Sequence, residues 1–69
     1  MVKIHGEFIT LGQLLKKEDF ISSGSEAKIF LLENNIKVNN IVEARRGKKL
    51  YAGDVVEINN KKLVIENEN

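Results

Sequence analysis

The spacing of the apolar residues changes at Asn35, and this change most limits the folds open to the chain. Between residues 11 and 33 apolar residues recur at helical spacing, and beyond Asn35 they alternate with polar residues, as half-buried strands do. The positions at helical spacing are Leu11, Leu14, Leu15, Ala27, Phe30 and Leu31. Because a chain of 69 residues has room for one small core, helices and strands must share it.

Two capping boxes predict where the helices begin. Thr10 and Gln13 form the first, which predicts a short helix over residues 11–17. Ser23 and Glu26 form the second, which predicts that another helix starts there and ends at the paired asparagines 34 and 35. Because few residues join the two helices, we expect them to pack against each other, with the small Ala27 allowing close approach.

Alternating segments predict the strands. Residues 2–8 alternate and predict a first strand at an edge of the sheet, and residues 36–38, 41–42, 55–58 and 62–65 predict later strands. Asn39-Asn40 and the segment around Asn59-Asn60 read as turns between them. We therefore predict one α+β domain over residues 1–69, with two short packed helices against a small, mainly antiparallel sheet. Its tail, residues 66–69, is expected to fray.

The composition excludes several classes of protein. The chain has no cysteine, so it has no disulfide framework and no thiolate zinc site, and the single His5 cannot form a metal site alone. No apolar run approaches the ~20 residues of a membrane span, and the amino terminus lacks a signal peptide's apolar stretch. No nucleophile and base pair is recognisable. We expect a soluble, cytoplasmic, non-catalytic protein with no cofactor, no small-molecule substrate and no membrane partner.

The cations are concentrated in one segment, although the net charge of the whole chain is only +1. Glu43 is the only acidic residue between Lys37 and Tyr51, and the cationic residues there are Lys37, Arg45, Arg46, Lys48 and Lys49. Such a segment presents a directed field to a polyanion. The alternative is a solvated loop without a partner.

Further residues extend this candidate site. Backbone amides near Gly24 and Ser25 could meet a phosphate, with Lys28 one turn further, although these residues could also serve only to cap the helix. Lys37 and Asn39 are expected on the polar side of the sheet, beside the cations at 45–49, so that all form one basic groove. Tyr51 could stack on a base or belong to the core.

Three short motifs, in this order, resemble those of a known family. They are Ser-Gly-Ser-Glu-Ala-Lys at 23–28, Ile-Lys-Val-Asn-Asn at 36–40 and Gly-Asp-Val-Val at 53–56. Over residues 10–58 the chain resembles the small RNA-binding domain named after ribosomal small-subunit protein four, the alpha-L motif, and most closely its short stand-alone bacterial members. It departs from the family at Gly24, where many members carry Arg, and at Asn39-Asn40, where Asn-Gly is usual.

The resemblance implies RNA binding without catalysis. In that family a basic groove accepts the sugar-phosphate backbone of structured RNA and reads shape more than base sequence. For this chain it implies binding to ribosomal RNA or to a ribosome-assembly particle through the groove residues named above. We expect the protein to be a monomer. The alternative function is a protein-interaction adaptor that uses the same basic face or an exposed strand edge.

Overall fold

A computed structural model describes residues 1–68 and contains two helices, a 3₁₀ turn and seven strands in that range. The elements in chain order are β1 (Val2–Ile4), β2 (Ile9–Thr10), α1 (Leu11–Lys17), the 3₁₀ turn (Gly24–Glu26), α2 (Ala27–Glu33), β3 (Ile36–Val38), β4 (Ile41–Val42), β5 (Lys49–Leu50), β6 (Val55–Ile58) and β7 (Lys61–Asn67). The predicted α+β class is confirmed. In the described residues, neither helix has the length and apolar character needed to cross a bilayer.

Five strands form the main sheet, in the order β1-β7-β6-β3-β4. Neighbours pair antiparallel except β1 and β7, which are parallel with Val2 opposite Ile65. The first strand therefore lies at an edge, as predicted. Strands β2 and β5 form a separate antiparallel pair.

Paired asparagines close both hairpins of the sheet. Asn39 and Asn40 have φ of 51° and 70°, and Asn59 and Asn60 have φ of 48° and 76°. Two successive positive φ angles are the geometry of the two-residue hairpin turn that matches the strand twist, and Asn tolerates it better than most residues. The predicted turns are confirmed.

Apolar side chains from both helices and from the strands form one core. All three leucines of α1 are fully buried, and Ala27 and Leu31 of α2 join them. The strands contribute alternate residues, as their sequence pattern predicted: Val2, Ile4, Ile36, Val38, Leu50, Val56, Ile58, Leu63 and Ile65. Every polar residue stays at least partly exposed within the described range.

The first predicted helix start is confirmed and the second is wrong in detail. At α1 the Gln13 N–H donates to Thr10 Oγ1 at 3.3 Å, and the Thr10 N–H donates to Gln13 Oε1 at 2.9 Å. The Ser23 side chain makes no capping hydrogen bond, and its hydroxyl lies 3.0 Å from Ser25 Oγ. The partner of Glu26 is Ser22, whose hydroxyl donates to Glu26 Oε1 at 2.7 Å. A 3₁₀ turn before α2 changes the spacing, so Glu26 reaches back four residues rather than three.

Two other strand predictions need correction. The first strand ends at Ile4 rather than continuing to residue 8, because Gly6 has a φ of 79° and turns the chain away from the sheet. The expected fraying from residue 66 is wrong for 66–68, because β7 extends to Asn67 and the Glu68 N–H donates to the Ile4 carbonyl at 3.0 Å. Pairing with β1 orders these residues, and residue 69 lies outside the described range.

Candidate nucleic-acid interface

The cationic segment 45–49, called here the basic arm, is held along the start of helix α1. The first backbone N–H groups of a helix have no partner within the helix. Here the Leu11 N–H donates to the Lys48 carbonyl at 2.9 Å and the Gly12 N–H donates to the Arg46 carbonyl at 2.9 Å. Strand β5 continues this contact, with Lys49 opposite Thr10. The backbone of the arm is thus bound to the helix, and its charged side chains are left for solvent.

Little space separates Gly12 from the arm. A Cβ atom at this position would lie 3.4 Å from both the Cβ and the carbonyl oxygen of Arg46, and 3.8 Å from the Cβ of Ala27. Alanine would therefore stand at the near limit of ordinary contact, and a larger side chain would displace Arg46. The same contact brings the start of α2 close to α1, as the small Ala27 predicted.

Arg46 joins the arm to the beginning of the second helix. Its Nη1 donates to the Gly24 carbonyl oxygen at 3.3 Å. Beside this contact lies a cleft lined by Ser25, Lys28, Ala44 and Arg46. The structure therefore brings together the predicted residues of the helix start and Arg46 of the arm. Nothing lies within 4 Å of a Cβ atom built on Gly24, so this position is open to a ligand.

A second, larger cleft of about 520 Å³ is lined by the other residues of the arm and by the tyrosine that follows it: Arg45, Gly47, Lys48, Lys49 and Tyr51. It adjoins a third cleft that shares Lys48, Lys49 and Tyr51 with it and also reaches Asn39 and Asp54. Arg45 and Arg46 are adjacent in sequence, but they line different clefts. The predicted groove residues therefore line more than one cleft along the arm.

Glu43 reduces the positive charge of this surface. Arg45 Nε donates to Glu43 Oε2 at 3.0 Å and Arg45 Nη2 donates to Glu43 Oε1 at 3.3 Å. The Glu43 side chain is only 12% exposed, whereas that of Arg45 is 77% exposed. The hydrogen bond from Arg45 holds the pKa of Glu43 below its ordinary value, and the same contact raises the pKa of Arg45. One of the predicted cations is therefore paired with a carboxylate.

Asn39, one of the predicted site residues, forms structural hydrogen bonds within the protein. Its Nδ2 donates to Asp54 Oδ1 at 3.1 Å, and its Oδ1 accepts from the Val55 N–H at 2.9 Å. Asp54 in turn accepts from the Tyr51 N–H at 2.8 Å. This network fixes the hairpin turn against the start of β6 and positions Tyr51.

Lys37 is not brought to the clefts. It lies in the middle of the sheet, opposite Glu57 on β6 and Val42 on β4, and it lines none of the three clefts described above. Glu57 in turn pairs with Lys62 on β7, so Lys37 belongs to a mixed row of charges across the strands.

Tyr51 is exposed rather than buried in the core, and it contacts Phe8, which no sequence pattern identified as a site residue. Their ring centroids lie 6.1 Å apart, with an angle of 52° between the ring planes. The Lys49 ammonium lies 4.9 Å from the Phe8 centroid. The register of β2 and β5 explains the contact: Ile9 pairs with Leu50, so Phe8 and Tyr51 are the next cross-strand neighbours. This register has no signal in the local sequence.

The site contains the groups needed to bind an anion. Its side chains supply guanidinium and ammonium donors, and within residues 1–68 no group of three His, Asp or Glu side chains is placed to hold a metal ion. Such donors suit the phosphates of a nucleic acid backbone, which positions a protein without reading its sequence.

Comparison with known proteins identifies a family and two relatives that are similar to this chain. The sequence profile described as "S4 domain" matches residues 2–66, which extends beyond the residues 10–58 that carry the motif resemblance. The chain is similar to a Bacillus subtilis (strain 168) protein named "Probable ribosome maturation protein RlbA", with 56% identity over 57 residues, covering 83% of this chain and 80% of the relative. It is also similar to an Escherichia coli (strain K12) protein named "Putative RNA-binding protein YbcJ", with 42% identity over 48 residues, covering 70% and 69% of the two chains.

Proposed function

This chain belongs to the S4 domain family, and on that premise we propose that it binds structured RNA without catalysis. The basic arm and the start of helix α2 contact the sugar-phosphate backbone. One observation supports this proposal above the others: backbone hydrogen bonds from Leu11 and Gly12 hold the arm against helix α1, so its cations project from a prearranged backbone. Preorganisation lowers the ordering cost of binding.

Ribosomal RNA, within a mature or assembling subunit, is the proposed ligand. The name of the Bacillus relative refers to ribosome maturation, and that relative covers most of this chain. A small surface also favours a large, preformed RNA. With about four phosphate contacts, the log-log salt slope of binding is near −3, which gives modest and salt-sensitive affinity. We propose that the protein acts in the cytoplasm as a monomer. Light scattering of the purified chain tests the monomeric state.

The test is charge reversal at Lys48 and Lys49. In the double variant K48E/K49E the salt slope on purified bacterial ribosomal RNA should become shallower by about 1.4, and affinity at low salt should fall at least about tenfold. The matched control is K61E/K62E, which makes the same change of charge in two exposed neighbouring lysines. They lie at the far end of β6 from Asp54 and the arm.

The comparison of the two variants decides the proposal. Circular dichroism and the unfolding temperature of both variants are measured, because K62E places a second carboxylate opposite Glu57. We expect K48E/K49E to match the native chain, since neither lysine side chain belongs to the core. Equal loss of RNA affinity in the two variants indicates a response to net charge alone and contradicts a defined site. Unchanged binding in K48E/K49E contradicts the arm as the contact surface.

A second candidate function, the protein-interaction adaptor, is favoured by the edge strand β4. Ile41 and Val42 are 71% and 68% exposed, and the outer side of this strand has no neighbour in the described part of the chain. An extended peptide could add to such an edge. Nuclease treatment separates the two functions, because a protein partner bound through β4 still co-purifies with the chain after the RNA is digested. The double variant I41K/V42K should no longer co-purify with that partner.

A further inference from the structure

The pair formed by Phe8 and Tyr51 is an aromatic contact at the surface. Phe8 is 39% exposed and Tyr51 is 47% exposed. The other aromatic pair in the described residues, Phe20 with Phe30, packs against the core and is explained by burial. Phe8 and Tyr51 are only partly buried, so burial stabilises them less than it stabilises the core pair and leaves part of each ring open to a ligand.

The groups around the two rings indicate which kind of ligand the rings can bind. The Lys49 ammonium, 4.9 Å from the Phe8 centroid, occupies one side of that ring. Tyr51 lines the two clefts of the arm that Lys48 and Lys49 also line. A half-exposed aromatic ring with cations beside it is the arrangement by which proteins stack a base and hold its phosphates.

We infer that this aromatic platform, defined as Phe8, Tyr51 and the ammonium of Lys49, binds an unpaired nucleotide of RNA. The base stacks on Tyr51, and the flanking phosphates contact Lys48 and Lys49. The inference rests on the proposed function and specifies its ligand class. Inside an uninterrupted duplex both faces of each base are covered by neighbouring bases, so only a loop, a bulge or a strand end can offer a base to Tyr51.

The platform is held in place before any ligand arrives. Asp54 accepts from the Tyr51 N–H at 2.8 Å, and the Asp54 N–H donates to the Tyr51 carbonyl at 3.0 Å. Pairing of Leu50 with Ile9 fixes the backbone on the other side of the pair. Because the backbone is fixed at both rings, little ordering accompanies binding.

Two RNA probes test the inference: a stem closed by an unstructured loop, and the same stem as a blunt duplex. The variant Y51L removes the aromatic face but keeps an apolar side chain, and it should lose about tenfold or more affinity for the loop probe. Its affinity for the duplex should stay within about twofold of the native value. The matched variant Y51F keeps the ring and should retain loop binding, and F8L should weaken loop binding by removing the support of Tyr51.

Tyrosine fluorescence gives an independent readout, because Tyr51 is the single tyrosine and the chain has no tryptophan. The loop probe should quench this emission, corrected for RNA absorbance, and the duplex should not. If Y51L binds the loop probe as well as the native chain while K48E/K49E binds neither probe, the platform is refuted and the proposed function stands. If the native chain binds ribosomal RNA but neither probe, the platform is refuted and the proposed function stands; if it binds neither the probes nor ribosomal RNA, both proposals are overturned.

Discussion

Replacing Gly12 by valine tests whether contact with helix α1 holds the basic arm in its RNA-binding position. The space around Gly12 determines how strongly the substitution destabilises the protein. A Cβ atom at this position already lies 3.4 Å from two atoms of Arg46, which is the near limit of ordinary contact. Valine adds two methyl groups beyond that point, and its χ1 angle has one strongly preferred setting in a helix, so the side chain cannot turn away.

The expected effect of G12V is destabilisation by about 1–2 kcal/mol, the usual result of overpacking. For a domain of this size, each 1 kcal/mol lowers the unfolding temperature by about 4–8 °C. Displacement of Arg46 also breaks the hydrogen bond from the Gly12 N–H and moves the arm. The salt slope of RNA binding should become shallower by about 0.7 for each phosphate that the displaced arm no longer reaches.

The matched control is G12A. Its Cβ fits at the limit of contact, and alanine favours the helix by up to about 1 kcal/mol over glycine. We expect G12A to be between neutral and stabilised by about 1 kcal/mol, with unchanged RNA binding. Urea unfolding followed by circular dichroism, together with RNA titrations at several salt concentrations, measures both effects. A G12V chain with native stability and native salt slope would refute the role of this contact.

Two further predictions concern the charges of the site. E43Q releases Arg45, so the salt slope of RNA binding should steepen by about 0.7, and an unchanged slope would show that Arg45 does not contact RNA. Because the pKa of Glu43 is lowered in the folded protein, the native chain should exceed E43Q in stability above the unfolded carboxyl pKa. That difference should disappear in acid unfolding experiments as the pH falls through the lowered pKa. G24K places a new cation in open space beside Arg46 and should strengthen RNA binding by one contact, with G24A as the control for backbone entropy. Weaker binding by G24K than by G24A would contradict a role for the helix start.

The elements that could be predicted from the sequence are those determined by neighbouring residues. The Thr10 and Gln13 box, the leucine spacing after it and the asparagine pairs each act within a few positions, and the structure confirms them. The second capping box failed because several serines stand close together, and the 3₁₀ turn selects Ser22 as the partner of Glu26. Local sequence patterns thus predict that a helix or turn is present more reliably than they predict which partner each side chain contacts.

The parts of the site that could not be predicted depend on distant pairing. The contact of β2 with β5 joins segments about forty positions apart through a two-residue ladder, which is too short to leave a periodic pattern. Both the attachment of the arm to helix α1 and the meeting of Phe8 with Tyr51 follow from this ladder. The clustering of cations in sequence predicted a charged surface, but it did not predict that Lys37 would lie apart from the clefts or that Glu43 would pair with Arg45.

The parallel pairing of β1 with β7 affects how the chain can fold during synthesis. Val2 meets Ile65, and no other strand of the main sheet adjoins β1 in the described residues. On a translating ribosome, the residues of β1 therefore wait for residues 61–67 before they can enter the sheet. Both helices and the Asn39-Asn40 hairpin can form sooner, since their contacts are local. Edge closure consequently follows the synthesis of β7, and until it occurs Val2 and Ile4 have no strand partner in the main sheet.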